Sequence, residues 1–173
     1  MIANILGFCG MISLFLIYQQ KSRKNILLCK LTADVFWILH YLSLGAVAGM
    51  IPNFVGVFRE IVFVNRKTKK WADTPVWVGV FILVNVTLGI MSFDKWYDAI
   101  PIIASAFMTV GFWLDNPRLT KLISLPVCIS FFTYDLFVSS YMGMINESIS
   151  LVSIIIYLVR SFKEKNISKN ARV

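Results

Sequence analysis

Seven apolar stretches, about Ile2–Tyr18, Ile26–Leu44, Val47–Val64, Val76–Met91, Ala99–Leu114, Leu122–Tyr141 and Ile145–Phe162, take up nearly all of this chain. At roughly 16–20 residues each, and with ~1.5 Å of rise per residue, each can cross a ~30 Å hydrocarbon layer. That layer offers a backbone amide no water, and only a helix satisfies its own amides over such a length. The pattern predicts an all-α integral membrane protein with seven transmembrane helices.

The basic residues set the orientation. Of 17 Lys and Arg, fourteen lie in or beside the gaps after spans one, three, five and seven, Lys21, Arg66, Arg118 and Lys163 among them. The other side carries only Lys95, while Lys30 and Arg59 sit inside spans. Positive charge collects on cytoplasmic loops. The asymmetry therefore predicts an outside N-terminus, a cytoplasmic C-terminus and an odd number of crossings.

Composition narrows the function classes. With 58% hydrophobic residues in 173, seven helices leave no room for a soluble domain. A net charge of +8 follows from cytoplasmic loops that face anionic headgroups, so membrane lipid is the expected partner and nucleic acid is not. Cys9, Cys29 and Cys128 show no CxxC spacing, which argues against a disulfide framework or a zinc site. No nucleotide-binding loop appears, and no cofactor is expected. Span one has neither a charged segment before it nor a small-residue cleavage site after it, and reads as a retained helix.

Sliding the chain against itself by 94 residues superimposes spans one to three on spans five to seven without a gap. Gly49-Met50-Ile51 then falls on Gly143-Met144-Ile145, and Arg66 on Arg160. The reading is a single membrane domain: a three-helix unit over residues 1–66, a linker helix over 76–91, a second unit over 98–162, and a basic cytoplasmic tail over 163–173. An odd linker helix returns the chain to its starting side, so the units form a parallel repeat about an axis along the membrane normal.

Ionisable side chains inside spans cost ~2.5–3.5 kcal/mol each even on lenient insertion scales, so each needs a reason. Lys30, Asp34, Trp37 and Tyr41 fall within a ~60° arc of span two, with His40 at its edge. Asn53, Gly56 and Glu60 make a similar stripe on span three, with Arg59 about a quarter-turn away. Asp135 lies in span six and Glu147 near the outer start of span seven. One reading pairs these charges as glue between helices: Asp34 with Lys30 or Arg59, and Glu60 with Arg59. Lys30 can also snorkel to the cytoplasmic face. The other reading makes Asp34, His40, Arg59, Glu60 and Asp135 a polar pathway or proton-coupling set, with a water-filled cavity around Asp135. Pro101, Pro126 and Pro52 are hinge candidates.

Gln20-Lys21-Ser22-Arg23-Lys24, Ala33-Asp34, Trp37, His40-Tyr41, Leu44-Gly45-Ala46, Gly49, Asn53, Gly56 and Arg59 together resemble the pattern of the YgjV family of bacterial inner-membrane proteins. That resemblance implies a multi-pass protein of the bacterial inner membrane. More distantly, the three-helix units resemble the SWEET and PQ-loop superfamily, whose members move sugars, amino acids or vitamins. That likeness implies a substrate pocket of aromatic and Asn residues on the second and third helices of each unit. Trp37 and Asn53 fit those roles, with Phe131 and Glu147 at the matching positions of the second unit. Gln19-Gln20 stands where that group carries Pro-Gln.

The function expected is alternating-access transport of a small polar solute, in a protein that also has scope to form a homo-oligomer. Two rival readings make different demands. A non-transporting scaffold, or a lipid- or partner-binding protein, needs Asp34, Arg59 and Glu60 mutually paired around a dry centre. An intramembrane enzyme using Asp34 or His40 needs a converging nucleophile or metal cluster, and no triad order or His-x-x-x-His spacing appears. The chain is therefore not read as an enzyme.

Overall fold

Apolar runs that must bond their own backbone become helices, and the computed structural model, which describes residues 1–17, 23–114 and 116–170, is all-helical with no strand among those residues. Its α-helices are α1 (Ile2–Ile17), α2 (Arg23–Ser43), α3 (Val47–Asn65), α4 (Val76–Met91), α5 (Ala99–Trp113), α6 (Pro117–Phe137) and α7 (Tyr141–Asn170). Tyr18, Gln19-Gln20, Lys21 and Arg172 lie outside the described residues. Three helical segments, Val47–Asn65, Arg118–Phe137 and Tyr141–Val159, are long and apolar enough to cross a membrane. Ile2–Leu16 and Val76–Met91 are shorter apolar helices. The 21 residues of α2 match a span in length, but Arg23, Lys24, Lys30 and Asp34 lower its hydropathy.

Polarity is distributed inside out. Leu83, Ile103, Phe107 and Val152 are each more than half exposed, whereas Asp34, His40, Asn85, Ser105, Thr109, Asp135 and Ser140 are all buried. Water-facing surfaces do not carry an apolar belt of this extent. A lipid-facing exterior around a polar centre accounts for both halves of the pattern.

The helices close a ring. In sequence they pack α1 on α2, α2 on α3, α3 on α5, α5 on α6, α6 on α7 and α7 back on α1. Helix α4 lies against α3 and α5. It buries one stripe, Phe81, Asn85 and Gly89, at i, i+4 and i+8. The Asn85 amide donates to the Ile102 carbonyl at 2.9 Å, which docks the stripe on α5.

Helix ends differ from the hydropathy boundaries most at α6 and α7. Helix α6 begins at Pro117, five residues before the apolar stretch at Leu122, because the Asn116 side chain caps it by accepting from the amides of Arg118 and Leu119. Pro117 at the first position gives up an amide that would have had no partner. Helix α7 begins at Tyr141 and not Ile145, two residues after Ser139, which turns the chain at φ 55°. It then continues to Asn170, through most of the segment expected as a tail. Asn116→Ala is expected to lose about 1 kcal/mol of stability. Unfolding in mild detergent measures this, and an unchanged midpoint would mean the cap contributes nothing.

Candidate functional site

A cavity of about 270 Å³ lies within the helical ring, and α1, α2, α3, α5, α6 and α7 all contribute to its wall. Helical period puts Lys30, Asp34, Trp37 and Tyr41 on one face of α2, and all four line it. Helix α3 adds Pro52, Asn53, Arg59 and Glu60; α5 adds Ser105, Met108 and Phe112; α6 adds Val127, Cys128 and Phe131; and α7 adds Gly143, Asn146, Glu147 and Ser150. Trp37, Asn53, Phe131 and Glu147 thus border a single space, together with Asp34, Arg59 and Glu60. His40 and Asp135 are fully buried behind that wall.

Of the expected pairings, Asp34 with Lys30 is present, whereas Glu60 meets Lys30 and not Arg59. The Lys30 ammonium bridges two helices, 2.6 Å from Asp34 Oδ1 and 3.0 Å from Glu60 Oε1. Lys30 and Asp34 are four apart and share a helix face, so Lys30 turns inward instead of snorkelling. Arg59 and Glu60 are neighbours and diverge by ~100°, so Arg59 takes a partner on another helix. Its Nη1 donates to Thr109 Oγ1 at 3.0 Å, and its plane lies 5.2 Å from the Phe112 ring centroid. Buried polar atoms on the wall keep unused valence: Asp34 Oδ2, Arg59 Nε, Glu60 Oε2 and Ser105 Oγ have no hydrogen-bond partner. Groups left so in a low-dielectric interior are costly unless something polar meets them.

A second cavity of about 430 Å³ adjoins the first and shares Lys30, Arg59, Glu60 and Phe112 with it. Its remaining wall is Phe63, Val64, Arg66 and Lys67, at the basic end of α3. Those shared residues form the neck between the basic end and the centre.

Beyond Tyr41, at the other end of the ring, polar contacts join distant parts of the chain. The Tyr41 hydroxyl donates to Asp135 Oδ1 at 3.0 Å, and the Gly49 amide donates to the Tyr134 hydroxyl at 3.0 Å. Both ring nitrogens of His40 are engaged, with the Ala3 carbonyl at 2.7 Å and Ser140 Oγ at 2.8 Å. Asp135, expected in a water-filled cavity, therefore sits in a packed network beside Tyr41. Pro101 falls in the first turn of α5, where its missing amide costs no helical bond.

Sequence reasoning passed over Thr109, Tyr134, Ser140, Cys128 and Asn146. A signal existed for two of them: displaced by 94 residues, Asp34 falls on Cys128 and Pro52 on Asn146. Thr109, with Ser105 in an otherwise apolar helix, carries no such mark.

A family model described as a bacterial inner membrane protein, Imp-YgjV, matches residues 1–165. No curated protein and no solved structure matches the chain.

Proposed function

As a member of the Imp-YgjV family of bacterial inner membrane proteins, the chain works within the lipid bilayer, and we propose that it carries a small polar solute across it by alternating access. The fold behind this proposal has seven spans, two three-helix units in parallel orientation joined by α4, an outside N-terminus and a cytoplasmic C-terminus.

Support for the repeat comes from one constant offset. Helices α2 and α6 are both 21 residues long and start 94 residues apart, as do the starts of α3 and α7. Gly45 and Ser139, also 94 apart, are the residues with positive φ among those described. The turns are bonded alike: the Ala46 amide donates to the Tyr41 carbonyl and the Ser140 amide to the Asp135 carbonyl, both at 2.9 Å.

The observation that carries the transport reading is that the cavity wall obeys the same offset. Leu14 and Met108, Asp34 and Cys128, Trp37 and Phe131, Pro52 and Asn146, and Asn53 and Glu147 are 94-residue pairs, and every member lines the cavity. A cavity on the axis between two similar units is where rocking of one against the other exposes a solute to either side in turn. The basic vestibule then faces the cytoplasm, and the Tyr41–Asp135, Gly49–Tyr134 and His40–Ser140 contacts form the outer latch. No covalent chemistry enters this reading. A scaffold role draws support from the Lys30 bridge, but the central cavity and the separate setting of Arg59 favour transport.

The test uses single cysteines at Trp37, Asn53, Phe131 and Glu147, in a variant lacking Cys9, Cys29 and Cys128. Membrane-impermeant thiol reagents are applied from each side. Labelling that depends on the side of access is expected at several sites, and Asp34→Asn should insert normally while losing solute movement. Uniform protection in a well-expressed protein would refute the transport reading.

A further inference from the structure

Two opposite charges on the cavity wall form no direct ion pair, and they stand on different halves of the ring; Arg59 has the Asp34 and Glu60 carboxylates only at longer range. Among the described residues the ion pairs are Lys30 with Asp34, Lys30 with Glu60, and Arg66 with Asp73. Arg59 on α3 and Glu147 on α7 belong to none of them, although both line the cavity. A charge inside the bundle without a direct partner is disfavoured. These two do not answer each other by repeat position either, since 94 residues carry Arg59 onto Ser153 and Asn53 onto Glu147.

The geometry of Arg59 says what it holds. Nη1 is committed to Thr109 and one face of the plane to Phe112. That leaves the Nε–Nη2 edge. Nε has no partner, and Nη2 lies beside Gly56, 3.5 Å from where a Cβ would stand. This edge is the fork that grips a carboxylate through two parallel hydrogen bonds. Glu147 is the complement: Oε1 accepts from the Asn146 side-chain amide at 3.1 Å, and Cys128 lines the same wall. About four lone-pair positions are available to a carboxylate, so acceptor capacity remains for an ammonium.

We propose that the cavity binds a small zwitterion, with its carboxylate on the Nε–Nη2 edge of Arg59, its ammonium on Glu147, and its apolar part against Trp37 and Phe131. The proposal rests on the transport reading above and names its substrate class. The size agrees, because about 270 Å³ falls below the ~300–1,000 Å³ of sites for drug-sized ligands. A neutral sugar would leave both charges without a direct partner, and a simple anion would leave Glu147 so.

The test is thermal unfolding of the purified full chain in mild detergent, with five probes: a pool of neutral α-amino acids, their N-acetyl derivatives, the corresponding decarboxylated amines, glucose, and inorganic phosphate. A ligand that binds the folded state raises its unfolding temperature. The amino acids alone are expected to do so. Arg59→Lys keeps the charge but loses the fork, and should weaken binding by about tenfold or more. Glu147→Gln should lose the preference for amino acids over their N-acetyl derivatives.

Equal stabilisation by N-acetyl derivatives or phosphate would overturn the proposal in favour of an anion site, and stabilisation by glucose in favour of a neutral one. No response to any probe also overturns it. Side-dependent labelling of Trp37→Cys and Glu147→Cys then decides whether transport survives: if labelling persists only the substrate class is wrong, and if it is absent both readings fall.

Discussion

Lys30→Met is expected to destabilise the folded protein by about 3 kcal/mol, at the lower end of the ~3–5 kcal/mol typical of breaking a buried ion pair. The lower end applies because the Lys30 side chain is 33% exposed, into the cavity, while Asp34 is 2% and Glu60 14% exposed. Removing the ammonium leaves two carboxylates facing one another across α2 and α3, each with an oxygen that already lacks a partner. The cost comes from the stranded acids and not from lost attraction alone. Replacing all three residues together, as Lys30→Met, Asp34→Leu and Glu60→Leu, should therefore recover most of the loss, since an apolar set of similar volume has nothing to desolvate. That triple variant should fold and yet move no solute. Asp34→Asn, which keeps a polar group beside Lys30, should lose only about 1 kcal/mol. Denaturant unfolding in mild detergent ranks the variants. Should Lys30→Met unfold like the parent, the ammonium does not hold α2 to α3 and the bridge has no structural role.

The Lys30–Asp34 contact was legible in the sequence because a helix brings i and i+4 together whatever surrounds it. The same period put Trp37 and Tyr41 on the face that lines the cavity. What lay beyond one helix was not legible. Arg59 had an acidic neighbour in sequence, and only the packing of α3 on α5 brings it to Thr109, fifty positions away. The polar residues His40 and Asp135 read as pathway candidates by chemistry, but their burial depends on where Ser140 and Tyr41 fall, and spacing within one helix carries nothing about that. The start of α6 is a different kind of omission. Asn116-Pro117 is a start signal in plain view, but a boundary drawn by hydropathy alone passes over the polar first turn Pro117–Lys121. The 94-residue offset was visible in span lengths and loop charges, yet the paired cavity wall appears only once six helices enclose a common space.

Gly143→Ala is expected to cost about 3 kcal/mol and to loosen the outer latch. A Cβ at Gly143 would collide with the Asp135 carboxylate and with Ser140 Oγ. Neither is the free end of a flexible chain, because Asp135 is held by the Tyr41 hydroxyl and Ser140 by His40. Overpacking of this kind costs ~1–3 kcal/mol, and each displaced hydrogen bond adds ~1 kcal/mol. Gly49, 94 residues earlier, is equally confined: its Cβ would stand 2.6 Å from the Tyr134 ring and 2.8 Å from that of Tyr41. The close approach at both positions is what lets the starts of α3 and α7 lie against the opposing network. Gly79 supplies the control, since nothing lies within 4 Å of its Cβ position. Gly79→Ala, inside α4, should be neutral or gain up to about 1 kcal/mol from helix propensity. The conformational consequence follows from where the strain falls. If these contacts hold the outer end shut, loosening them favours the outward-open arrangement, and Glu147→Cys should label faster from outside in the Gly143→Ala background. A Gly143→Ala protein that is destabilised but labels no faster would keep the packing argument and remove the latch. One as stable as the Gly79→Ala control would remove both.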